Sequence, residues 1–365
     1  MKKIFESFKS EVVLIIASIL AIITSFINVP KIEYIDFRVL IILFNLMIIV
    51  AGFKKYNVLD NVASKIINKC KSERSLNIAL VFITFFSSML ITNDVALITF
   101  VPITLIIGRR LNMDVIKTIV LQTIAANLGS SLTPMGNPQN LYIYSHYKLS
   151  AIEFFSITYK LVLMSAILLI IMIILQKNNS IKVRYEGKKI ESTKKVFVFM
   201  ILFVLTILSV LNLIDYKIIF FITLVCMLII DKELYKKVDY SLLFTFVSFF
   251  IFIGNVSNIN SIRNVIEPIV NVETNTYIIS IILSQIISNV PATMLLSSFS
   301  NCYKSMLLGV NVGGLGTLIA SLASLISYKL FSKDNKEDAN KYFIEFTKYN
   351  IIGLVILGII NYFIL

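Results

Sequence analysis

The sequence has few of the side chains that soluble enzymes use for chemistry. Its 365 residues include one histidine and no tryptophan, and charged residues account for only 15%. The cysteines, Cys70, Cys226 and Cys302, are widely separated and form no CxxC pair, which argues against a disulfide framework and a cysteine-ligated metal. His146 has no second histidine, so catalysis by a histidine pair or triad is excluded. We therefore expect no enzyme, no cofactor and no transition metal.

Apolar residues are abundant instead, at 57% of the chain. Four runs approach the roughly 20 residues that a helix needs to cross a hydrocarbon core. They cover residues 12–29, 37–53, 159–175 and 196–213. The basic residues behind the net charge of +13 lie between apolar runs, which is typical of membrane topology and argues against nucleic acid as a partner. The pattern predicts an all-α polytopic protein of the cytoplasmic (inner) membrane.

The positions of lysine and arginine predict the orientation. With the N-terminus in the cytoplasm, the basic segments 54–75 and 177–195 fall inside and the C-terminus falls outside. Arg109 and Arg110 stay on the cytoplasmic side only if residues 76–108 enter the membrane and return as a hairpin. Each arm of this hairpin would have about 14 to 16 residues, which is short for a complete span. Seven of the 34 basic residues then lie outside or near the outer ends, which leaves 27 inside. The seven are Lys31, Arg38, Lys148, Lys160, Lys217, Arg263 and Lys304.

An internal repeat accounts for this organisation. Each half has two spans, an amphipathic linker, a re-entrant hairpin, a broken helix and a final span, in residues 12–176 and again in residues 216–365. A loop and one helix in residues 177–215 turn the second copy over. We therefore predict a single transmembrane transporter domain over residues 1–365, built from two inverted repeats, which is a recurrent transporter design.

Polar residues interrupt the apolar pattern at matched places in the two halves. The hairpins turn at residues 92–94 and 288–291, and the helices break near residues 129–140 and 311–317. Irregular backbone survives in hydrocarbon only inside protein or beside a cavity. Free carbonyls there suit a cation such as Na⁺, and half-helix N-termini suit an anion. The alternative for any single residue is a kink, a packing glycine or a hydrogen bond between helices.

Asp94 stands apart because it is the one acidic residue that this topology puts deep in the membrane. Ionisable residues are costly there and usually have a function. The competing interpretation is an N-cap, in which Asp94 accepts backbone N–H bonds at the start of a half-helix over residues 95–107. Thr92 or Asn93 could cap that helix without a charge, so we favour the functional interpretation.

At these breaks the chain resembles the ion transporter superfamily of arsenite permeases, NhaD-type sodium/proton antiporters and divalent anion/sodium symporters, whose usual label is the citrate-transporter-like domain. Asp94 makes the first tip more similar to the permease and antiporter branches, since symporters usually carry a neutral tip. The resemblance implies that tips and unwound loops bind substrate and Na⁺. The candidate substrate- and ion-binding residues are Thr92, Asn93, Asp94, Asn127, Gly129, Thr133, Asn137, Ser288, Asn289, Asn311, Gly313 and Thr317.

The function that follows is secondary active transport of a small inorganic or organic anion or oxyanion, coupled to Na⁺ or H⁺. The first alternative is a sodium/proton antiporter in which Asp94 exchanges the two ions. A passive channel, which needs no coupling ion, is the second. The expected partners are the anion and the lipid bilayer, and a homodimer is compatible with this interpretation.

The topology predicts that Arg74 and Arg109, at the two ends of the first hairpin, are both cytoplasmic. In a background in which the three native cysteines are replaced, a single cysteine at either position should resist an impermeant thiol reagent added to whole cells. Labelling at only one of the two positions would mean a complete crossing and would contradict the hairpin.

Overall fold

A computed structural model of the protein describes residues 12–365, and the helices follow the apolar runs. The first half of the described chain forms a series of α-helices. They are α1 (Val12–Ser25), α2 (Phe37–Lys55), α3 (Val58–Ile67), α4 (Glu73–Ile91), α5 (Asn93–Leu111), α6 (Ile116–Gly129), α7 (Pro138–His146) and α8 (Ala151–Ile174). The side chains of Asp36, Ser72 and Ser150 each accept a backbone N–H at the start of α2, α4 and α8.

The second half continues in the same way after a connecting segment. Its helices are α9 (Thr193–Val210), α10 (Tyr216–Ile230), α11 (Tyr240–Ser257), α12 (Asn260–Val270), α13 (Glu273–Ile287), α14 (Asn289–Ser297), α15 (Tyr303–Gly313), α16 (Leu322–Asp334) and α17 (Ala339–Tyr362). Within residues 12–365 the β-structure is limited to one bridge between Ser72 and Ser180.

Six of these helices, α2, α4, α8, α9, α11 and α17, are long and apolar enough to cross a membrane, and α1 and α10 are shorter apolar helices. The surface agrees with a lipid environment. Along α8, for example, Leu163, Ile167 and Ile171 are each about half exposed. Exposed aliphatic side chains at helical spacing are unfavourable in water and favourable against lipid chains. The protein is an all-α polytopic membrane protein, as predicted.

The first hairpin forms, but its arms are longer than predicted. Both α4 and α5 have 19 residues, or about 28 Å of helix at 1.5 Å per residue. The difference arises at both ends. A capping box between Ser72 and Ser75 starts α4 before the apolar run, and α5 continues past Arg109 and Arg110. The predicted orientation therefore depends on the charge distribution and not on the length of the arms.

The second hairpin also turns where the sequence predicts, between α13 with 15 residues and α14 with nine. Its second half-helix begins at Asn289 rather than after Pro291. Pro291 is thus in the first turn of α14, where the missing N–H would have had no helical partner.

Both hairpins turn through one residue in the same unusual backbone conformation. Thr92 has φ 70° and ψ 152°, and Ser288 has φ 75° and ψ 154°. Non-glycine residues are rarely found in this region, and each such residue costs about 1–3 kcal/mol unless its surroundings impose the conformation. Strain is therefore built into both tips.

Two large hydrophobic clusters hold the helices together. One contains side chains of α2, α7, α9, α11 and α14, and includes Phe199 and Phe246. The other contains side chains of α4, α5, α6, α8 and α17, and includes Phe85 and Phe346. The broken helices α6–α7 and α15–α16 and the hairpin tips meet where these clusters adjoin, so most residues of the first break, and residues 311–316 of the second, are buried.

We predict that Thr92→Gly raises the free energy of unfolding by about 1 kcal/mol. The relief of about 1–3 kcal/mol of strain exceeds the roughly 0.5–1 kcal/mol of chain entropy that glycine costs. Thr99→Gly is the control, because Thr99 lies within the regular part of α5, and it should be destabilising. Thermal unfolding in detergent measures both. A loss of stability in Thr92→Gly equal to that in Thr99→Gly would contradict the strain at the tip.

Candidate functional site

The first broken helix is interrupted where predicted. After α6 ends at Gly129, one 3-10 turn follows, the chain is extended at Thr133, and Asn137 caps α7 through its side chain. Asn140 stabilises the break, because its Nδ2 donates to the carbonyl oxygens of Ser130, Ser131 and Thr133, each at 3.2 Å. The Thr133 carbonyl also accepts the N–H of Gly136, at 3.2 Å. A carbonyl oxygen has two lone pairs, so those of Ser130 and Ser131 can still accept a second bond or a cation.

The second broken helix is interrupted later than predicted. The sequence pattern gave residues 311–317, whereas α15 remains helical through Gly313 and α16 begins only at Leu322. Gln285, on the first arm of the second hairpin, stabilises this break. Its Nε2 donates to the carbonyl oxygens of Gly313 (2.8 Å) and Leu315 (2.9 Å).

Each hairpin tip contacts the break of its own half through a backbone hydrogen bond. The N–H of Asn93 donates to the carbonyl of Gly136 at 3.0 Å, and the N–H of Asn289 donates to the carbonyl of Ala320 at 3.0 Å. These are equivalent positions, the first residue of the second arm in each hairpin. The bonds satisfy an N–H at a helix N-terminus and a carbonyl of irregular backbone at the same time.

Asn127, in the last turn of α6, joins the first break to the second. Its Nδ2 donates to the carbonyl of Gly314 and the hydroxyl of Ser324, each at 3.2 Å, and its Oδ1 accepts from Ser321 at 2.9 Å. The Nδ2 of Asn93 also donates to this Oδ1, at 3.2 Å. One buried amide therefore connects the first tip to the break of the opposite half.

Asn311 makes the reciprocal connection from the second half to the first. Its Oδ1 accepts from Ser131 at 2.9 Å and from the Nδ2 of Asn137 at 3.2 Å. Its Nδ2 donates to the Oδ1 of Asn140 at 2.8 Å. Asn127, Asn137, Asn140 and Asn311 are each at most 4% exposed, so these bonds form in a dry interior.

Most of the remaining predicted residues lie near this network, and Thr133 joins it through its carbonyl, which accepts from Asn140. Gly129 and Gly313 are packing glycines, since a Cβ at either would collide with the first arm of its own hairpin, at Phe85 and Ser284 respectively. Thr133 donates to the carbonyl of Met89 at 2.5 Å. Ser288 is buried, and its hydroxyl donates to the carbonyl of Ala320 at 3.4 Å.

Thr317 is not brought into the network. It is exposed and bonds to Gln285 through its N–H and its hydroxyl. Conversely, Ser321 and Ser324 bond to Asn127 but were not predicted. Their spacing of three residues at the start of α16 would have indicated one helix face, had the break been extended to residue 321.

Asp94 is not an N-cap, so the alternative interpretation of this residue is wrong. It is the second residue of α5, and its backbone N–H donates a hydrogen bond to the Oδ1 of Asn93 at 3.0 Å. Its Oδ1 is buried, and no hydrogen-bond partner for it occurs within residues 12–365. A buried carboxylate oxygen without a donor is costly, so Asp94 stays the candidate ion-binding residue of this site.

Asp94 lines a cavity of about 610 Å³. Thr92, Asp94 and Pro138 line it beside the first tip, and apolar residues of α2 form one wall. The cavity extends to the exposed end of α2, where ionic residues line it. These are Lys54, Lys55, Glu233, Lys237 and Asp239.

A second cavity, of about 830 Å³, lies at the other end of α2, where Asp36 and Arg38 line it. The half-helix α7 contributes to both cavities, with Pro138 lining the first and Tyr142 and His146 lining the second. Pro138 and Tyr142 are four residues apart, or about 6 Å along a helix axis. Only about one turn of α7 therefore separates the residues that line the two cavities.

Comparison with known proteins agrees with this architecture. The family model described as Citrate transporter matches residues 3–300 of the chain. The protein belongs to the citrate transporter family. This match confirms the resemblance to the citrate-transporter-like superfamily that the hairpin tips and helix breaks indicated. The protein is a multi-pass membrane transporter.

Two related proteins match this citrate transporter family protein over most of the length of its chain. An uncharacterized transporter of Methanocaldococcus jannaschii is 37% identical over 319 residues, which cover 86% of each chain. The inner membrane protein YbiR of Escherichia coli is 28% identical over 298 residues, covering 81% of this chain and 80% of that one. The crystal structure of the Alcanivorax borkumensis YdaH transporter shares the fold, with a TM-score of 0.55 at 10% identity over 87% of this chain and 84% of that one.

We predict that Asn127→Leu and Asn311→Leu each lower the free energy of unfolding by about 1–3 kcal/mol, because each strands several buried polar groups at the opposite break. Asn45→Leu is the matched control. Asn45 is equally buried on α2, but its Oδ1 has no partner within residues 12–365, so this change should be neutral or stabilising. Thermal unfolding in detergent compares the three. Equal losses in all of them would contradict a special role for the connections between the breaks.

Proposed function

We propose that this transporter carries a small anion or oxyanion across the cytoplasmic membrane, coupled to Na⁺ or H⁺. The observation that carries the proposal is Asp94, a carboxylate with an unpartnered buried oxygen that lines a cavity at a helix N-terminus. The name of the family, in which citrate is the substrate, supports an anionic substrate.

Coulomb's law explains why such a cavity requires a coupling ion. An anion bound beside the N-terminus of α5 gains from the helix dipole but is repelled by the Asp94 carboxylate. Two unit charges about 6 Å apart repel by about 3 kcal/mol at an effective dielectric constant of 20. This repulsion exceeds the roughly 0.3–1 kcal/mol that a helix terminus typically contributes. A proton or Na⁺ bound at Asp94 removes the repulsion, so anion and cation bind together more readily than the anion binds alone.

The oxygen atoms of Asp94 and of the unwound segment after α6 are of the kind that suits a cation. The hard ion Na⁺ prefers carboxylate and carbonyl oxygens to nitrogen or sulfur ligands. In addition to Asp94, the unwound segment offers the carbonyl oxygens of Ser130 and Ser131, which retain a lone pair beside the Asn140 amide. We propose that the coupling ion binds between the first tip and this segment.

Sodium/proton antiport is the second candidate, and the same carboxylate favours it. If Asp94 binds H⁺ and Na⁺ alternately, competition at one oxygen is sufficient for exchange and no anion is needed. The two candidates differ in what Asp94 does for the anion. In symport the negative charge of Asp94 hinders anion binding until a cation binds. In antiport the Asp94 carboxylate is itself the group that binds the transported ions.

We predict that Asp94→Asn abolishes transport driven by a Na⁺ or pH gradient but retains anion exchange down its own gradient. The amide keeps the shape of the side chain and removes both the charge and the titration. The measurement is uptake into proteoliposomes across a panel of oxyanions and carboxylates, with and without each gradient. Asp114→Asn is the control, because Asp114 lies in the loop after α5, half-exposed and paired with Lys341.

The transport measurements on Asp94→Asn distinguish anion symport from sodium/proton antiport. Unchanged Na⁺ and pH dependence in Asp94→Asn would refute a coupling role for this carboxylate. Loss of all flux, together with gradient-driven Na⁺ uptake by the unaltered protein in the absence of any anion, would favour antiport.

A further inference from the structure

Residues 177–191, here called the strap, connect α8 to α9 and lie along α3. The strap runs antiparallel to α3, since Ser180 bridges Ser72, Tyr185 bonds through its backbone to Asn68, and Lys189 accepts through its carbonyl from Asn57. These contacts lie at both ends of α3 and hold the strap against that helix.

Side chains alternate along the strap. Ile181, Val183 and Tyr185 point towards the protein, and all three pack in the cluster formed with α3, α4 and α5. Burial and the nearby Asp60 carboxylate raise the pKa of Tyr185, so its hydroxyl stays protonated and donates to Asp60 at 2.6 Å. The intervening residues are exposed, namely Lys182, Arg184, Glu186 and Lys188. An extended segment places alternate side chains on opposite faces, so one face is apolar and the other mostly basic.

The strap must lie at a membrane surface. Four of the helices that are long enough to span the bilayer end beside it, α2 at Lys55, α4 at Glu73, α8 at Ile174 and α9 at Thr193. Four spans cannot converge within a few residues of one segment unless that segment is close to the headgroup region.

The charge of this surface is positive. Residues 57–73 and 177–191 together contain eight basic and four acidic residues, a net charge of +4. Three of the acids are bonded within the protein, Asp60 to Tyr185, Glu73 to Asn179 and Glu191 to Asn57. The fourth, Glu186, is 3.4 Å from Arg184.

The helix α3 has the character of an interfacial helix. Val62 and Ile66 are 46% and 40% exposed on the face that does not pack on the protein. Lys65 and Lys69 are exposed beside them. Exposed aliphatic residues with flanking lysines are typical of helices that lie in the plane of the headgroups, with the apolar side chains towards the acyl chains.

From these contacts we propose that the exposed face of the strap, together with Lys65 of α3 and Lys69 just after that helix, binds the headgroups of anionic phospholipids. The bound lipid would hold α3 at the interface. Because α3 is the only covalent link between α2 and the first hairpin, anionic lipid would stabilise the position of that hairpin. The proposal concerns the lipid contact and is independent of the transported substrate and the coupling ion.

The test uses the purified full-length protein in detergent, titrated with phosphatidylglycerol or phosphatidylcholine while thermal unfolding is followed. Each basic residue near an anionic surface contributes roughly a fivefold change in affinity, so the variant Lys182→Gln, Arg184→Gln, Lys188→Gln should need roughly 100-fold more phosphatidylglycerol for the same stabilisation. The control Lys329→Gln, Lys333→Gln, Lys336→Gln removes equal charge from another exposed basic segment and should respond like the unaltered protein.

A second variant guards against misfolding. The charge-preserving change Lys182→Arg, Arg184→Lys, Lys188→Arg should retain the stabilisation. The proposal is overturned if the glutamine variant of the strap responds as the unaltered protein does, or if both glutamine variants lose the response equally. It is also overturned if soluble glycerol phosphate stabilises at the same concentration as the lipid, which would indicate a free anion site.

Discussion

The reciprocal hydrogen bonding of Asn127 and Asn311 is the interaction on which this architecture depends. A membrane interior does not tolerate irregular backbone unless other protein groups satisfy its polar atoms. Here each half supplies an asparagine to the break of the other half, and Asn140 and Gln285 satisfy carbonyls within their own halves. Unwound segments can therefore persist in the middle of a protein whose outer surface is made for lipid.

Asp94 gains its significance from this setting. The tip that carries it is held on one side by the Asn93–Gly136 backbone bond and on the other by the Asn93–Asn127 side-chain bond, which leaves the neighbouring carboxylate directed at the cavity. Strain at Thr92 is tolerated because these two contacts impose the turn. Rigid support, backbone strain and a buried carboxylate oxygen without a partner among the described residues thus occur within three consecutive residues.

Much of this arrangement could be predicted from the sequence, because the membrane imposes simple rules on length and polarity. Breaks at Thr92 and Ser288 were evident as polar interruptions of apolar runs, and the structure turns at both residues. What could not be predicted depends on tertiary contact. Ser321 and Ser324 join the network only because the second break lies against Asn127 of the other half, and no local pattern encodes that crossing. The inverted symmetry and the binding roles of the site residues stay predictions.

The crossing of hydrogen bonds between halves has a consequence for biosynthesis. Asn127 precedes its partner Ser324 by 197 residues. At about 5–20 residues per second, the first break is made roughly 10 to 40 s before the groups that satisfy it. During that interval its exposed amides and carbonyls have to be accommodated by water, by the insertion machinery or by temporary partners within the first half. The first break therefore gains its hydrogen bonds to the other half only when α15 and α16 arrive, so we expect the N-terminal half alone to be less stable than the whole transporter.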